Sequence, residues 1–139
     1  MTAKSFGLAD ATAFGTQKLS DGTQLIAALG TNKYEPKYYK AGNGSIRLYA
    51  GNTLTFDAGS KKIESITITC DTYTDKNNVK TDCTAEGKAT VSAGSIKLEG
   101  LVYTISGING SKVTVTNSNT STGTKSQIRI VKFTIKYAK

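Results

Sequence analysis

Apolar and polar residues alternate with a period of two through most of this chain, and no window of 11 or more residues carries a 3.6-residue apolar stripe. That pattern excludes a helical bundle and predicts strands nearly everywhere. Ser45-Ile46-Arg47-Leu48-Tyr49-Ala50 alternates, Gly51-Asn52 supplies a turn, and Thr53-Leu54-Thr55-Phe56 alternates again, which reads as a tight hairpin. Leu101–Ile105 and Lys112–Thr116 flank Ile108-Asn109-Gly110-Ser111, and Asn-Gly predicts a second hairpin there. Lys62–Cys70 reads as a long strand whose phase slips between Ile63 and Ile66. Gln127–Tyr137 is the longest strand, with a phase change at Ile130-Val131 that predicts a bulge, and its length predicts a central place in a sheet. Leu19–Thr23 reads as a turn, and Gln24–Leu29 as a strand rather than one short helix.

With turn signals recurring roughly every ten residues, about eight or nine strands are expected, in an all-β antiparallel sandwich of jelly-roll-like type. At 139 residues the chain is expected to form a single domain spanning 1–139. Alternation assigns Ile46, Leu48, Leu54, Phe56, Ile66, Ile68, Val113, Val115, Phe133 and Ile135 to its core. Gly44-Ser45-Ile46-Arg47-Leu48 returns as Gly94-Ser95-Ile96-Lys97-Leu98; this echo is either chance or a sign of equivalent strands in two facing sheets.

No stretch approaches the ~20 apolar residues of a membrane span, and no membrane span is expected. The opening Met1-Thr2-Ala3-Lys4-Ser5-Phe6-Gly7 has no apolar segment of secretion-signal type. Two readings stay open: the mature part of an exported protein behind a new Met, or a natural start at Met1.

Lys and Arg total 18 against 10 Asp and Glu, for a net charge of +8, yet only Arg47 and Arg129 are arginines and the lysines are scattered. Nucleic-acid readers cluster arginine on one element, so no specific nucleic-acid partner is expected. The lysines read as solvated faces and sheet-edge guards, with attraction to an acidic polymer or anionic surface as the other reading.

The chain has no His, which removes the commonest general base, the commonest metal ligand and every Ser-His or Cys-His nucleophile. Asp57, Glu64, Asp71, Glu86 and Glu99 lie among solvent-type neighbours, so a carboxylate acid-base pair is not expected, and neither is a phosphate loop. The chain is therefore expected not to be an enzyme. Cys70 and Cys83 bracket a polar stretch of about a dozen residues and are either a disulfide or two separate thiols, Cys70 falling in phase with core Ile66 and Ile68. Zinc is not expected. Asp71, Asp75, Asn77 and Asp82 between them could offer oxygen ligands to calcium, although the spacing is not that of an EF-hand, and a solvated polar loop is the alternative. No cofactor is expected beyond that.

In Lys33-Tyr34-Glu35-Pro36-Lys37-Tyr38-Tyr39-Lys40, aromatic rings interleave with lysines. Rings stack on sugar faces and polar tips bind hydroxyls, so Tyr34, Lys37, Tyr38, Tyr39 and nearby Asn43 are the candidate ligand-binding residues. Rings packed at the rim of the core are the competing reading.

The stretches Lys33–Tyr39, Ser45–Phe56 and Lys61–Ile68, together with the closing Gln127–Ile135, resemble a β-sandwich module of Bacteroidota. That module's text runs roughly P-K-Y-Y, then R-L-Y-x-G-N-T-x-T, then K-I-x-x-I. The resemblance implies a non-catalytic, jelly-roll-like unit of cell-surface or secreted proteins, or of proteins of phages that infect these bacteria. Two functions are expected from it. The first is a surface-exposed binding or adhesion module, extracellular or on the cell surface, with a glycan or cell-surface polymer as partner. The second is a structural virion protein, a capsid decoration or fibre subunit, bound to other virion or surface protein subunits.

Overall fold

Burial along Ile63–Cys70 follows the alternation in its sequence, with Ile66, Ile68 and Cys70 inside and Ser65, Thr67 and Thr69 turned away. The same phase recurs in strand after strand and builds two packed antiparallel sheets. The computed structural model describes residues 1–139.

From edge to edge, the first sheet holds seven strands: β1 (Thr12–Ala13), β4 (Lys37–Tyr39), β5 (Ser45–Leu48), β14 (Ile128–Tyr137), β7 (Ile63–Cys70), β12 (Val102–Gly110) and β11 (Ser95–Glu99). The second holds five: β10 (Ala89–Val91), β13 (Lys112–Asn117), β6 (Thr53–Asp57), β3 (Gln24–Ala28) and β2 (Thr16–Lys18). A separate hairpin pairs β8 (Thr72–Thr74) with β9 (Lys80–Asp82). Helix is limited to short 3-10 turns at Ala3–Phe6, Ala85–Gly87 and Thr124–Ser126.

The antiparallel sandwich agrees with the expectation from sequence, but there are fourteen strands rather than eight or nine. Six of the fourteen (β1, β2, β4, β8, β9 and β10) have only two or three residues, too few to display a period, and the other eight are those that alternation can reveal.

Between the sheets lies one cluster of 22 buried apolar residues. Of the ten residues assigned to the core from sequence, nine are buried and Ile135 is half-buried against the cluster's edge. Phe56 of the five-stranded sheet and Phe133 of the seven-stranded sheet meet edge to face, with ring centroids 5.6 Å apart. Both phase slips are bulges. Val131 is the extra residue where pairing passes from Ile130↔Cys70 to Lys132↔Thr69, and Glu64 where it passes from Lys136↔Ser65 to Tyr137↔Ile63. β14 is central, as its length predicts.

The two expected hairpins are not hairpins. β5 and β6 lie in different sheets, as do β12 and β13, so Gly51-Asn52 and Asn109-Gly110 carry the chain across the sandwich instead of back along one sheet. At the first crossing the cause is visible. Asn52 is fully buried and accepts a hydrogen bond from the Tyr49 N–H at 2.8 Å, while its amide donates to the Leu29 and Tyr34 carbonyls at 2.9 Å each. A side chain that ties three loop strands together in this way fixes a corner. Gly51 has φ 88, and a Cβ there would collide with Thr31 Oγ1, so only glycine fits. The Ser-Ile-Arg-Leu echo is also resolved: β5 and β11 belong to the same sheet, not to facing ones.

Cys70 and Cys83 are both buried free thiols, so the disulfide alternative is set aside. Cys70 ends β7 inside the core, opposite Ile130, and burial pushes its thiol up to about 12. Cys83 follows β9, where its N–H bonds to the Asp71 carbonyl at 3.0 Å and its carbonyl accepts from the Arg129 N–H at 3.1 Å.

Candidate functional site

In a strand, neighbouring residues point to opposite faces, and this splits the tyrosine cluster. On β4, Tyr38 turns inward and is buried, whereas Lys37 and Tyr39 lie on the outer face of the seven-stranded sheet. Tyr38 is therefore core rather than a ligand-contacting residue, a correction that follows from strand geometry alone. Its side chain borders a depression shared with Lys4, Lys40 and exposed Asn43. Asn43 is thus separated from Tyr39. Tyr34 is 60% exposed in the loop before β4, with the Lys33 ammonium 5.2 Å from its ring centroid.

What replaces the expected cluster is a row of cations. Lys37 pairs in register with Arg47 across β4 and β5, and Arg47 pairs with Arg129 across β5 and β14. The phase that buries Ile46, Leu48, Ile128 and Ile130 forces both arginines onto the outer face. They are the only arginines of the chain. Beyond Arg129 the row continues to Asp71, whose N–H donates to the Arg129 carbonyl at 2.8 Å.

Each guanidinium rests on a ring. Arg47 Cζ is 3.8 Å from the Tyr39 ring centroid, and Arg129 Cζ is 5.3 Å from that of Tyr73 on β8. Tyr49, one residue beyond β5 and on the same face, has its hydroxyl 3.4 Å from that of Tyr39 and also lines a groove with Tyr34. Tyr34, Tyr49, Tyr39, Arg47, Arg129 and Tyr73 thus form a continuous strip. Burial and the Tyr39 hydroxyl raise the Tyr49 phenol to about 12, so it keeps its proton at neutral pH.

Arg47, Arg129, Asp71, Tyr73, Gly42 and Thr124 help to line an open depression of about 530 Å³ over this row. Arg129 Nε donates to Gln127 Oε1 at 2.9 Å, whereas Arg47 Nε is buried and has no hydrogen-bond partner. Neither arginine is in a salt bridge; the ion pairs of the molecule are Lys61–Asp21, Lys97–Glu99 and Lys136–Glu64. Burial lowers the Arg129 pKa, and the neighbouring Arg47 charge acts in the same direction.

In the stretch between the cysteines, Asp75 Oδ1 accepts from the N–H groups of Asn77 and Val79, and Asp71 Oδ1 from that of Thr72. These carboxylates serve turns, and no three acidic side chains come together. No helix is long and apolar enough to cross a membrane.

Reading the sequence by composition alone brought Tyr34, Lys37 and Tyr39 into view but missed Arg47, Tyr49, Tyr73 and Arg129. The missing signal was phase: Arg47 and Arg129 each sit between two core residues, Ile46 and Leu48 or Ile128 and Ile130, and so face outward from the same sheet. Comparison with known protein families, curated proteins and solved structures finds no match, so the reading of this surface rests on its own geometry.

Proposed function

We propose that this chain is a non-catalytic, surface-exposed binding module whose partner, a glycan or cell-surface polymer, lies along the outer face of the seven-stranded sheet. The observation that carries the reading is the strip of four tyrosines and two arginines running from Tyr34 to Tyr73. Partly exposed rings offer flat apolar faces for sugar rings, and the polar tips between them offer donors and acceptors for hydroxyls. An extended strip suits a polymer better than a small molecule, which would be enclosed. A protein working this way belongs outside the cell or on its surface, where such polymers are met.

Single-site contacts of this kind are weak, so the binding is expected to depend on many copies. The test is a glycan array read with a multivalent form of the protein. Hits that vanish in Tyr39→Ala, with an unchanged melting temperature, support the reading. A blank array overturns it in favour of a virion subunit that docks on other protein subunits through the same face. Tyr38→Ala is not a substitute for Tyr39→Ala, because it opens the core.

A further inference from the structure

We infer that Arg47 and Arg129 form a two-arginine site for an oxyanion, a carboxylate or sulfate carried by the polymer; this rests on the binding-module reading and names its ligand class. Placing like charges directly opposite on neighbouring strands destabilises a sheet, and this chain does so with its only two arginines. Neither is in an ion pair within the protein: no carboxylate is within ion-pair distance of either guanidinium. Asp71 lines the same depression and acts on Arg129 from beyond ion-pair distance, but one carboxylate leaves the row of Lys37, Arg47 and Arg129 with an excess of positive charge.

The buried Arg47 Nε without a partner is a second sign, since a buried donor left unmade is costly and native proteins rarely keep one. Arg47 makes no side-chain hydrogen bond within the protein and lines the open depression, where a partner from outside can reach its terminal N–H groups. Arg47 lies over the Tyr39 ring and Arg129 over the Tyr73 ring, so each guanidinium has an aromatic neighbour in place of a carboxylate. The planar fork of arginine matches the spacing of carboxylate and sulfate oxygens, and Lys37 extends the positive row by one strand. The net charge of +8 adds long-range attraction for a polyanion.

Affinity electrophoresis of the purified chain at physiological salt, in gels holding polygalacturonate, dextran sulfate or neutral dextran, tests the inference. Retardation by one or both polyanions and not by dextran is expected, and which of the two retards tells carboxylate from sulfate. Arg47→Gln and Arg129→Gln should each weaken it by about ten- to a hundred-fold, and Arg47→Lys, which keeps the charge but loses the fork, by an intermediate factor. Lys112→Gln on the five-stranded sheet removes the same charge elsewhere and should leave retardation unchanged. Equal losses in Lys112→Gln and Arg47→Gln, or no retardation by either polyanion together with no protection by inorganic sulfate in a thermal melt, overturn the site. Binding of a neutral glycan that needs Tyr39 but not Arg47 also overturns it while the module reading stands. Protection by inorganic sulfate in a thermal melt, lost in Arg47→Gln, with no polysaccharide bound, overturns the module reading and supports the anion site.

Discussion

The two outer faces of the sandwich are built on the same core and by the same alternation, yet they differ in kind. On the five-stranded sheet one outward row carries Lys18, Gln24, Asp57 and Lys112, and the other two are rich in threonine: Thr16, Ile26, Thr55 and Thr114 in one, Ala28, Thr53, Thr116 and Thr90 in the next. These residues favour strands, and Thr55 and Thr114 satisfy each other through hydroxyls 2.8 Å apart. On the seven-stranded sheet the outward positions of β4, β5 and the start of β14 carry Lys37, Tyr39, Arg47 and Arg129, which are long, charged or aromatic, and Arg47 lacks a partner for its Nε. The threonine rows hold their own hydroxyl partner, whereas the arginine row keeps a donor without one. The difference teaches where to look for function: at the surface that leaves its interactions unmade.

The first way to break the comparison is to remove what the faces share. Phe133→Ala should cost about 3–5 kcal/mol and lower the melting temperature by well over ten degrees, disturbing both faces together. A loss below about 1 kcal/mol in chemical denaturation would mean that the sheets do not depend on a common core. Next comes Asn52→Ala, which leaves the Tyr49 N–H and two carbonyls without their partner and should cost about 2–4 kcal/mol. Since Tyr49 is on the strip, polymer binding should weaken with it.

A smaller effect is expected at the clasp between the sheets. Tyr137 at the end of β14 donates to Asp21 at 2.7 Å, in the turn between β2 and β3, and Thr23 and Lys61 also bond to Asp21. The Tyr137 hydroxyl, more than the other contacts, holds the Asp21 carboxyl well below the usual carboxylate range. A folded pKa below the unfolded one gives stability that is complete above about pH 4 and is lost as pH falls further. Asp21→Asn should therefore lower stability at pH 7 by no more than about 1 kcal/mol, the group being partly solvated, and the gap should narrow in acid melts. A gap that widens in acid would contradict the clasp. The smallest effect sharpens the contrast directly: replacing both Thr55 and Thr114 by Val removes donor and acceptor together and should change stability by less than about 0.5 kcal/mol, without touching polymer binding.

Side-chain phase was legible in the sequence, because it is local. Ile46, Leu48, Leu54, Phe56 and the bulge at Val131 could be read from a few neighbours. Sheet membership was not legible, because it depends on distant partners. Gly51-Asn52 and Asn109-Gly110 look like hairpin turns by composition, and alternating strands on either side look the same whether the chain folds back or crosses over. The site was half legible for the same reason. Tyr34, Lys37 and Tyr39 are neighbours in sequence, whereas Arg47 and Arg129 are 82 positions apart (129 − 47) and meet only through register. The burial of Tyr38 was accessible in principle, since adjacent residues of one strand cannot share a face.

β14 comes last of the fourteen strands yet occupies the middle of its sheet, between β5 and β7. β5 and β7 do not pair with each other and are joined in the sheet only through β14, and contacts so distant in sequence are of the kind that slow folding. The outward row that holds the two arginines is therefore complete only with β14 in place. The insertion that seals the interior is the same one that brings Arg129 beside Arg47, so an incompletely folded chain carries no partly competent version of the site.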